Sequence, residues 1–377
     1  MDALTTPSNW QRVRLGDIAE IIGGGTPSTQ ITSFWNGSIN WFTPTEIGIT
    51  KYVYKSQRTI TLLGLKKSSA KLLPIGTILL TSRASIGDCA ILKVVATTNQ
   101  GFQSLIPLEK INNEFLYYLM LTLKNKLLKL ASGSTFLEVS PNKIKNLLIP
   151  LPPLNEQIAI ANILSGLDRY LYSLDALILK KESVKKALSF ELLSQRKRLK
   201  GFNQAWQKVR LGDICEITTG SLDANEMVHY GKYRFYTCAK EYYFIDKYAF
   251  DTEAILISGN GAYVGYVHYY KGKFNAYQRT YVLDNFSEHI IFVKYFLTMF
   301  LQSHIQTNRN EGNTPYIVMA TLKDFEIPIP PLNEQIAIAN ILSALDSEII
   351  SLKNKKRQFE NIKKALNHDL MSAKIRV

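Results

Sequence analysis

A tandem repeat constrains this 377-residue chain more than any other feature of its sequence. Residues 152–165 read PPLNEQIAIANILS, and residues 330–343 repeat that segment without a change. A second repeat, WQRVRLGDI, begins at Trp10 and returns as WQKVRLGDI at Trp206. Repetition on this scale indicates a duplicated architecture, in which each copy carries the same structural parts. The predicted segments are 1–150, 151–205, 206–328 and 329–377.

The segments 151–205 and 329–377 are predicted to be long helices. Their paired prolines end the preceding structure, because proline interrupts strand ladders and helices. Asn155 and Asn333 are the predicted N-caps. From Leu164 in the first copy, nine positions spaced 3.5 residues apart over four heptads hold seven apolar side chains and two lysines, Lys181 and Lys185. The second copy, from Leu342, repeats this seam with Lys356 and Lys363.

Four heptads predict a coiled coil rather than an ordinary amphipathic helix. Each seam is about 42 Å long at 1.5 Å per residue. Antiparallel pairing within one chain buries both seams and makes the molecule pseudo-two-fold, with the intervening domains at opposite ends of a rod. The alternative is two separate helices that each pack on their own domain.

The segments 1–150 and 206–328 have the pattern of mixed α+β domains. Both contain short runs of β-branched and aromatic residues broken by Gly, Asn and Pro, which indicate strands and turns. Each also has one helical stretch near its end, at roughly 114–130 and 289–305. We therefore expect two loop-rich α+β domains.

Sequence motifs for catalysis are missing. The glycine runs at 23–25 and 259–261 do not fit a phosphate-binding loop and are predicted turns. The five histidines and three cysteines show no metal-ligand spacing, so no metal site is expected. The N-terminus lacks a signal-peptide pattern and no apolar run reaches ~18–20 residues, so the expected location is the cytoplasm.

The charge distribution indicates a polyanionic partner. The net charge is +14 and the isoelectric point is near 9.4. Residues 10–150 hold 16 basic and 7 acidic residues, whereas 206–328 hold 12 and 13 but also 14 of the 20 tyrosines. Basic side chains favour nucleic acid because each neutralised phosphate releases counterions, and tyrosines also contact phosphates.

The whole chain resembles the specificity subunits (HsdS) of type I restriction–modification systems. The matching features are the paired PPLNEQIAIANILS segments, the W-x-x-V-x-L-G-D-I domain starts, GGGTPS at 23–28 and TNQGFQS at 98–104. The resemblance implies an α+β fold in which two α/β target-recognition domains, 1–150 and 206–328, alternate with two helical spacers, 151–205 and 329–377. In this fold the two spacers would form an intramolecular antiparallel coiled coil.

The resemblance also implies a function. Each recognition domain would read one half of a bipartite double-stranded DNA target, and the helices would fix the gap between the halves. The chain itself would be non-catalytic and without a cofactor. It would recruit two modification subunits, which bring S-adenosylmethionine and methylate adenine, and restriction subunits, which use ATP and Mg. A 42 Å seam suits half-sites about one helical turn, ~34 Å, apart.

Polar side chains on loops are the expected base readers, because Arg pairs with guanine and Gln or Asn with adenine. In the first domain the candidates are Thr45, Glu46, Arg83, Ser85, Gln100 and Thr135. In the second domain they are Asn260, Tyr263, Gln278, Arg279, Arg309 and Asn310.

The identical helix starts indicate equivalent docking of the two modification subunits. The candidate partner-binding residues are Asn155, Glu156, Gln157, Asn333, Glu334 and Gln335. The alternative is that these turns pack against their own domains.

Two other functions compete with the specificity subunit. One is a non-enzymatic scaffold or regulator that binds DNA through two modules without a methyltransferase partner. The other is the recognition half of a fused methyltransferase–nuclease, against which a start at Met1 and a complete duplication are expected to count.

Overall fold

The computed structural model describes residues 9–133, 137–308, 315–375 and 377. The chain divides into two compact units, of which the first is discontinuous in sequence and the second is continuous. Unit 1 contains Met1–Asp175 and Asn354–Val377, and unit 2 contains Ala176–Lys353. Each unit therefore holds one β-rich domain together with part of both long helices.

The domain of unit 1 consists of ten strands and four short helices within the described residues. The strands are β1 (Gln11–Arg14), β2 (Ala19–Gly23), β3 (Trp35–Phe42), β4 (Tyr52–Val53), β5 (Arg58–Ile60), β6 (Ile78–Leu80), β7 (Cys89–Leu92), β8 (Ala96–Thr98), β9 (Gln103–Pro107) and β10 (Leu148–Leu151). The helices are α1 (Leu62–Lys66), α2 (Asn113–Thr122), α3 (Lys124–Leu130) and α4 (Pro141–Lys145).

Three sheets organise this domain: a five-stranded sheet of order β2-β9-β6-β7-β4, a three-stranded sheet β5-β3-β8, and the pair β1-β10. Helix α2 packs on the larger sheet, where Phe115 and Leu116 are fully buried. The expected helical stretch at 114–130 is present as α2 and α3.

Unit 2 contains a single large sheet. Its strands are β11 (Gln207–Arg210), β12 (Glu216–Thr219), β13 (Tyr233–Tyr236), β14 (Tyr243–Ile245), β15 (Phe250–Ser258), β16 (Val267–Ala276), β17 (Thr280–Asp284) and β18 (Glu326–Ile329). Its short helices are α6 (Leu211–Ile214) and α8 (Met319–Lys323), and the longer α7 (Ile290–Asn308) covers the expected stretch at 289–305. The sheet order is β12-β17-β15-β16-β13-β14, with β11-β18 as a separate pair.

The two repeated motifs of the sequence meet in space within each unit. Strand β1 pairs antiparallel with β10, and β11 pairs antiparallel with β18, so each WQ-x-VR segment borders the paired prolines. Gly16 and Gly212 pack closely here: an added Cβ would lie 3.2 Å and 3.0 Å from the Cβ atoms of Lys145 and Lys323, so those neighbours would have to shift. The duplication therefore preserves a packed structural corner.

The long helices are α5 (Leu154–Leu193) and α9 (Leu332–Met371), each of 40 residues. Both begin one residue before the predicted N-caps. At the helix starts Gln157 N donates to Pro153 O at 3.0 Å, and Glu334 N and Gln335 N donate to Pro331 O at 2.9 Å and 3.1 Å. The prediction of Asn155 and Asn333 as N-caps was therefore wrong, because the prolines supply the first helical carbonyls.

Lysines at the polar seam positions pair the helices antiparallel inside each unit. In unit 1, Lys363 binds Asp168 and Lys356 binds Asp175 at 2.6 Å, so residue numbers rise in one helix as they fall in the other. In unit 2 the same trend holds. The pairs there are Lys181–Glu348 at 2.8 Å and Lys185–Asp346. Polar pairs at seam positions fix register and orientation. The predicted fold class is confirmed.

The duplicated aspartates also tie the helix pair to each domain. In unit 1, Tyr118 of α2 donates to Asp168, which Lys363 also contacts. In unit 2, Tyr295 of α7 donates to Asp346 Oδ2 at 2.6 Å. Burial alone would raise the pKa of Asp346, but the hydrogen bonds from Lys185 and Tyr295 hold that pKa below its ordinary value.

Asp346→Asn is expected to lower the free energy of unfolding at neutral pH. A carboxyl whose pKa is lower in the folded state stabilises the fold above its unfolded pKa, about 3.9, and loses that contribution as the pH falls through the folded value. Urea unfolding of wild type and variant should therefore converge at acidic pH. The control is Glu348→Gln in the exposed pair with Lys181. A difference between Asp346→Asn and wild type that stays constant with pH would contradict this role.

Helix α9 includes an 18-residue window of mean hydropathy 1.3, enough by length and composition to cross a membrane. The start of this helix is nevertheless part of a protein core. Ile338 and Leu342 are buried in unit 2, and Glu334 forms an ion pair with Arg198 at 2.6 Å. Apolar side chains at the start of this helix therefore pack in the core of the folded unit.

Candidate nucleic-acid interface

Each β-rich domain carries a hairpin loop of the same construction, residues 81–88 in unit 1 and 258–266 in unit 2. The end residues of this loop are joined by a backbone N–H···O bond of 2.9 Å in unit 1 and 3.0 Å in unit 2. The loop of unit 2 has one more residue. The duplication therefore extends from the helices to the loops of the domains.

Two other segments meet this loop. In unit 1, Ser82 N donates to Gly101 O at 2.8 Å, and Ser82 O accepts from Val139 N at 3.1 Å. In unit 2, Gly259 makes the same two bonds, at 2.8 Å and 2.9 Å. We call this meeting of three segments the junction. It comprises 81–88, 99–101 and 137–139 in unit 1, and 258–266, 277–279 and 315–317 in unit 2.

The bridges at the junction show which candidate residues are equivalent. Arg83 forms an antiparallel bridge with Glu138, and Asn260 forms the matching bridge with Tyr316. The Arg83 guanidinium also contacts the Glu138 carboxylate at 2.8 Å, and its side chain is 42% exposed. The same backbone position therefore presents a paired cation in unit 1 and a neutral amide in unit 2.

Two further pairs of candidates occupy equivalent places. Ser85 O and Tyr263 O each accept a backbone bond from the residue three further on, at 3.1 Å and 3.0 Å. By this register Ala262 is the additional residue of unit 2. Gln100 and Gln278 are both exposed. They immediately precede Gly101 and Arg279, whose carbonyls accept the backbone hydrogen bonds from the hairpin loop. The duplicated junction therefore places both pairs at equivalent positions.

Thr45 lies beside the junction of unit 1. It is exposed, in a short 3-10 turn whose Pro44 approaches Gly101: a Cβ added to that glycine would lie 2.7 Å from Pro44 Cγ. Gln100, next in sequence to Gly101, accepts a hydrogen bond from Thr26. The GGGT segment and the 3-10 turn thus border the same set of loops.

Glu46 has a structural role in this turn. Its Oε2 accepts from Thr43 N at 2.7 Å and from Thr43 Oγ1 at 2.8 Å, which forms a capping box. Its Oε1 accepts from Gln57 N at 2.7 Å. The carboxylate predicted to read a base is therefore occupied inside its own domain, because turn chemistry uses the same residue type.

A polar recess of about 270 Å³ opens at the junction of unit 2. Tyr281 closes one side, and its hydroxyl donates to Ile317 O at 2.9 Å. Gln278 and Arg279 line the recess and are exposed. The two predicted readers therefore present donors and an acceptor at a concave surface, as recognition of a base edge requires.

Three candidates fall on parts of the chain that are not described. Thr135 of the first domain, and Arg309 and Asn310 of the second, lie outside the described residues.

A cluster of one arginine and three tyrosines in unit 2 was missed by the sequence reasoning. The Arg234 guanidinium lies 4.2 Å and 4.5 Å from the ring centroids of Tyr242 and Tyr270, and its Nη1 donates to Tyr236 Oη at 3.3 Å. Burial raises the pKa of Tyr236, so its hydroxyl stays protonated. The tyrosine-rich composition was the only sequence signal for it, because these residues come from three separate strands and loops.

Buried glutamines hold each long helix onto its own domain. Gln157 and Gln335 are 1% and 0% exposed. Their Oε1 atoms accept from Asn112 N and His289 N, each at 2.9 Å. These two side chains therefore have a structural role, which agrees with the alternative that the helix starts pack against their own domains.

The other predicted partner-binding residues differ in exposure. Glu334 is 1% exposed, whereas Glu156 is half-buried and accepts from Trp10 Nε1 at 3.0 Å. Asn155 and Asn333 are both exposed. Identical sequence in the two helix starts therefore leaves one matched pair of asparagine side chains accessible to a partner.

The protein-family model of the type I restriction modification DNA specificity domain matches residues 7–181 and 203–361 of this chain. Among curated proteins, the type I restriction enzyme MjaIX specificity subunit of Methanocaldococcus jannaschii is 30% identical over 98% of this chain and 94% of its own length. The EcoDI specificity subunit of Escherichia coli is 37% identical over 44% of this chain and 37% of its own length.

Solved structures share the fold over the full length. The S subunit of a type I restriction–modification system from M. genitalium has a TM-score of 0.65 at 20% identity, over 98% of this chain and 97% of that chain. The HsdS subunit from Thermoanaerobacter tengcongensis has a TM-score of 0.54 at 19% identity, over 98% of both chains.

Proposed function

The chain belongs to the type I restriction–modification DNA specificity family, and from this premise we propose that it selects the target of a methyltransferase and restriction complex. Each β-rich domain reads one half of a bipartite double-stranded DNA target. The family membership over nearly the whole length favours this function over a two-module scaffold without a methyltransferase partner.

The duplicated junction is the observation that carries the proposal. Both units build the same three-segment backbone arrangement and then place different side chains at equivalent positions. Equal scaffolds with unequal side chains suit a protein that reads two different sequences in the same manner. Loops on a fixed scaffold are where recognition residues ordinarily lie.

The chain acts without catalysis of its own in this proposal. Modification subunits supply S-adenosylmethionine and methylate adenine, and restriction subunits supply the ATP- and Mg-dependent motor and nuclease. The complex works on DNA in the cytoplasm. The basic excess of residues 10–150 supports the DNA partner, because phosphate neutralisation supplies sequence-independent affinity.

The exposed faces of the two helix starts are the proposed docking sites for two modification subunits. Beside the accessible asparagines, the same apolar side chains are exposed in both copies: Leu154 and Ile158 at 45% and 42%, Leu332 and Ile336 at 54% and 39%. Repeated exposure of apolar side chains favours repeated burial by equivalent partners.

Co-expression with a modification subunit and mapping of methyladenine in host DNA tests the function. The expected result is a bipartite motif with a fixed gap. Exchange of residues 1–150 for those of a relative should change one half of the motif. The matched exchange of 206–328 should change only the other half. Methylation at a short continuous motif, or none despite a purified complex, would overturn the proposal.

A further inference from the structure

We propose that one backbone position in each junction determines a base of each half-target: Arg83 selects guanine in one half, and Asn260 selects adenine in the other. This inference rests on the proposed function and assigns its specificity to a single equivalent pair. Arg83 presents a planar fork of donors that fits the O6 and N7 acceptors of guanine. Asn260 presents one donor and one acceptor, which fit adenine N6 and N7.

The equivalence of the two positions is geometrical. Arg83 follows Ser82, and Asn260 follows Gly259; Ser82 and Gly259 are the residues whose backbone hydrogen bonds join the hairpin loop to the other two segments of the junction. Arg83 and Asn260 then each form a β-bridge with the third segment. The next residue has a left-handed backbone in both units, with φ of +55° at Ala84 and +81° at Gly261. The same path of the chain therefore aims both side chains from the same place on the scaffold.

The neighbouring side chains match the charge of each proposed reader. Arg83 faces the Glu138 carboxylate at 2.8 Å, which orients the guanidinium while 42% of the arginine side chain stays exposed. Asn260 faces Tyr316, a neutral residue that is 38% exposed. A charged reader has an acidic neighbour and a neutral reader has a neutral one, so each position is electrostatically consistent by itself.

Of the two other equivalent pairs of candidate readers, Ser85 and Tyr263 differ and lie on the same hairpin loop, whereas the pair on the second segment is unchanged between the units. Gln100 and Gln278 are the same residue type at the same place in the turn. A position that holds glutamine in both units cannot account for a difference between the two half-targets, whereas the Arg83 and Asn260 position can. This contrast favours the hairpin loop over the Gln100 and Gln278 position as a source of the difference.

Reciprocal substitutions test the assignment in the full chain co-expressed with its modification subunit. Arg83→Asn should replace a guanine by an adenine at one position of one half-target and leave the other half and the gap unchanged. Asn260→Arg should make the opposite change in the other half. With duplexes that carry each of the four bases at the affected position, the preferred base should be methylated about 5- to 150-fold faster than the others.

Two control variants separate base choice from charge and from folding. Arg83→Lys keeps the charge but lacks the fork, so methylation should slow with the preferred base unchanged. Asn203→Arg adds the same charge at an exposed site outside the junction and should leave motif and rate unchanged.

The failures of this inference and of the proposed function are distinguishable. If wild type produces no gapped motif, the proposed function fails. If wild type produces one, but Arg83→Asn and Asn260→Arg methylate the wild-type motif at the wild-type rate, only this inference is overturned. It is also overturned if the variants copurify with the modification subunit and lose activity equally on all four bases.

Discussion

Replacing Arg198 by alanine is expected to destabilise unit 2 by about 3–5 kcal/mol, because it leaves a buried carboxylate without its cation. The Glu334 side chain is 1% exposed, and Arg198 donates to it from Nε at 3.2 Å and from Nη2 at 2.6 Å. Trp206 Nε1 adds one neutral hydrogen bond at 3.2 Å, which does not compensate the charge. The expected loss is a large fraction of the roughly 5–15 kcal/mol that stabilises a typical protein.

The measurement is hydrogen exchange along a urea series, followed separately for peptides of each unit. The slowest-exchanging peptides of unit 2 should lose protection at lower urea in Arg198→Ala, and those of unit 1 should not. The control is Glu348→Gln in unit 2, which removes the carboxylate of an exposed ion pair with Lys181 and should change protection little. A destabilisation below about 1 kcal/mol, the value of an exposed ion pair, would contradict the buried-charge argument.

The second large effect is expected in the salt dependence of DNA binding by the complex. A protein that neutralises 6–10 phosphates loses roughly 10³–10⁵ in affinity between 50 and 200 mM salt. Residues 10–150 carry a net charge of +9, but 206–328 carry −1. We therefore expect the first domain to contribute most of the chain's own salt-dependent affinity.

Two duplexes measure this asymmetry, one with only the half-target of the first domain intact and one with only that of the second. The plot of log K against log salt should be steeper for the first duplex, since each phosphate contact adds about −0.9 to the slope. The modification subunits are common to both measurements and serve as the internal control. Equal slopes would mean that the tyrosine-rich domain neutralises as many phosphates as the basic one.

The fold was predictable where a residue pattern has one physical solution. The heptad seams from Leu164 and Leu342 predicted the antiparallel helix pair, and the lysines that interrupt the seams proved to be its interhelical ion pairs. The exact helix start was not predictable from the N-cap preference of asparagine. The preceding prolines already provide the carbonyls, and proline is itself favoured near helix starts.

The burial of the helix starts could not be predicted, because identical residues have different neighbours. Glu156 and Glu334 belong to the same repeated segment, yet among the described residues Glu334 accepts from Arg198 and Trp206, whereas Glu156 accepts from Trp10 and Asn9. Arg83 and Asn260 were both predicted base readers, and the duplicated loop closures place them at equivalent positions. The capping role of Glu46 was missed, because a carboxylate three residues after threonine fits both a turn and a base reader.

The division of the long helices between the units has a consequence for synthesis on the ribosome. Unit 2 is one continuous stretch, whereas unit 1 requires Asn354–Val377, which emerge about 180 residues after Asp175. At roughly 5–20 residues per second, the first domain waits on the order of 10–40 s for its last helical segment. During that time its core lacks Leu370 and Met371. The nascent first domain therefore exposes apolar surface while the second is completed, which makes its early stages the ones that depend most on protection from aggregation.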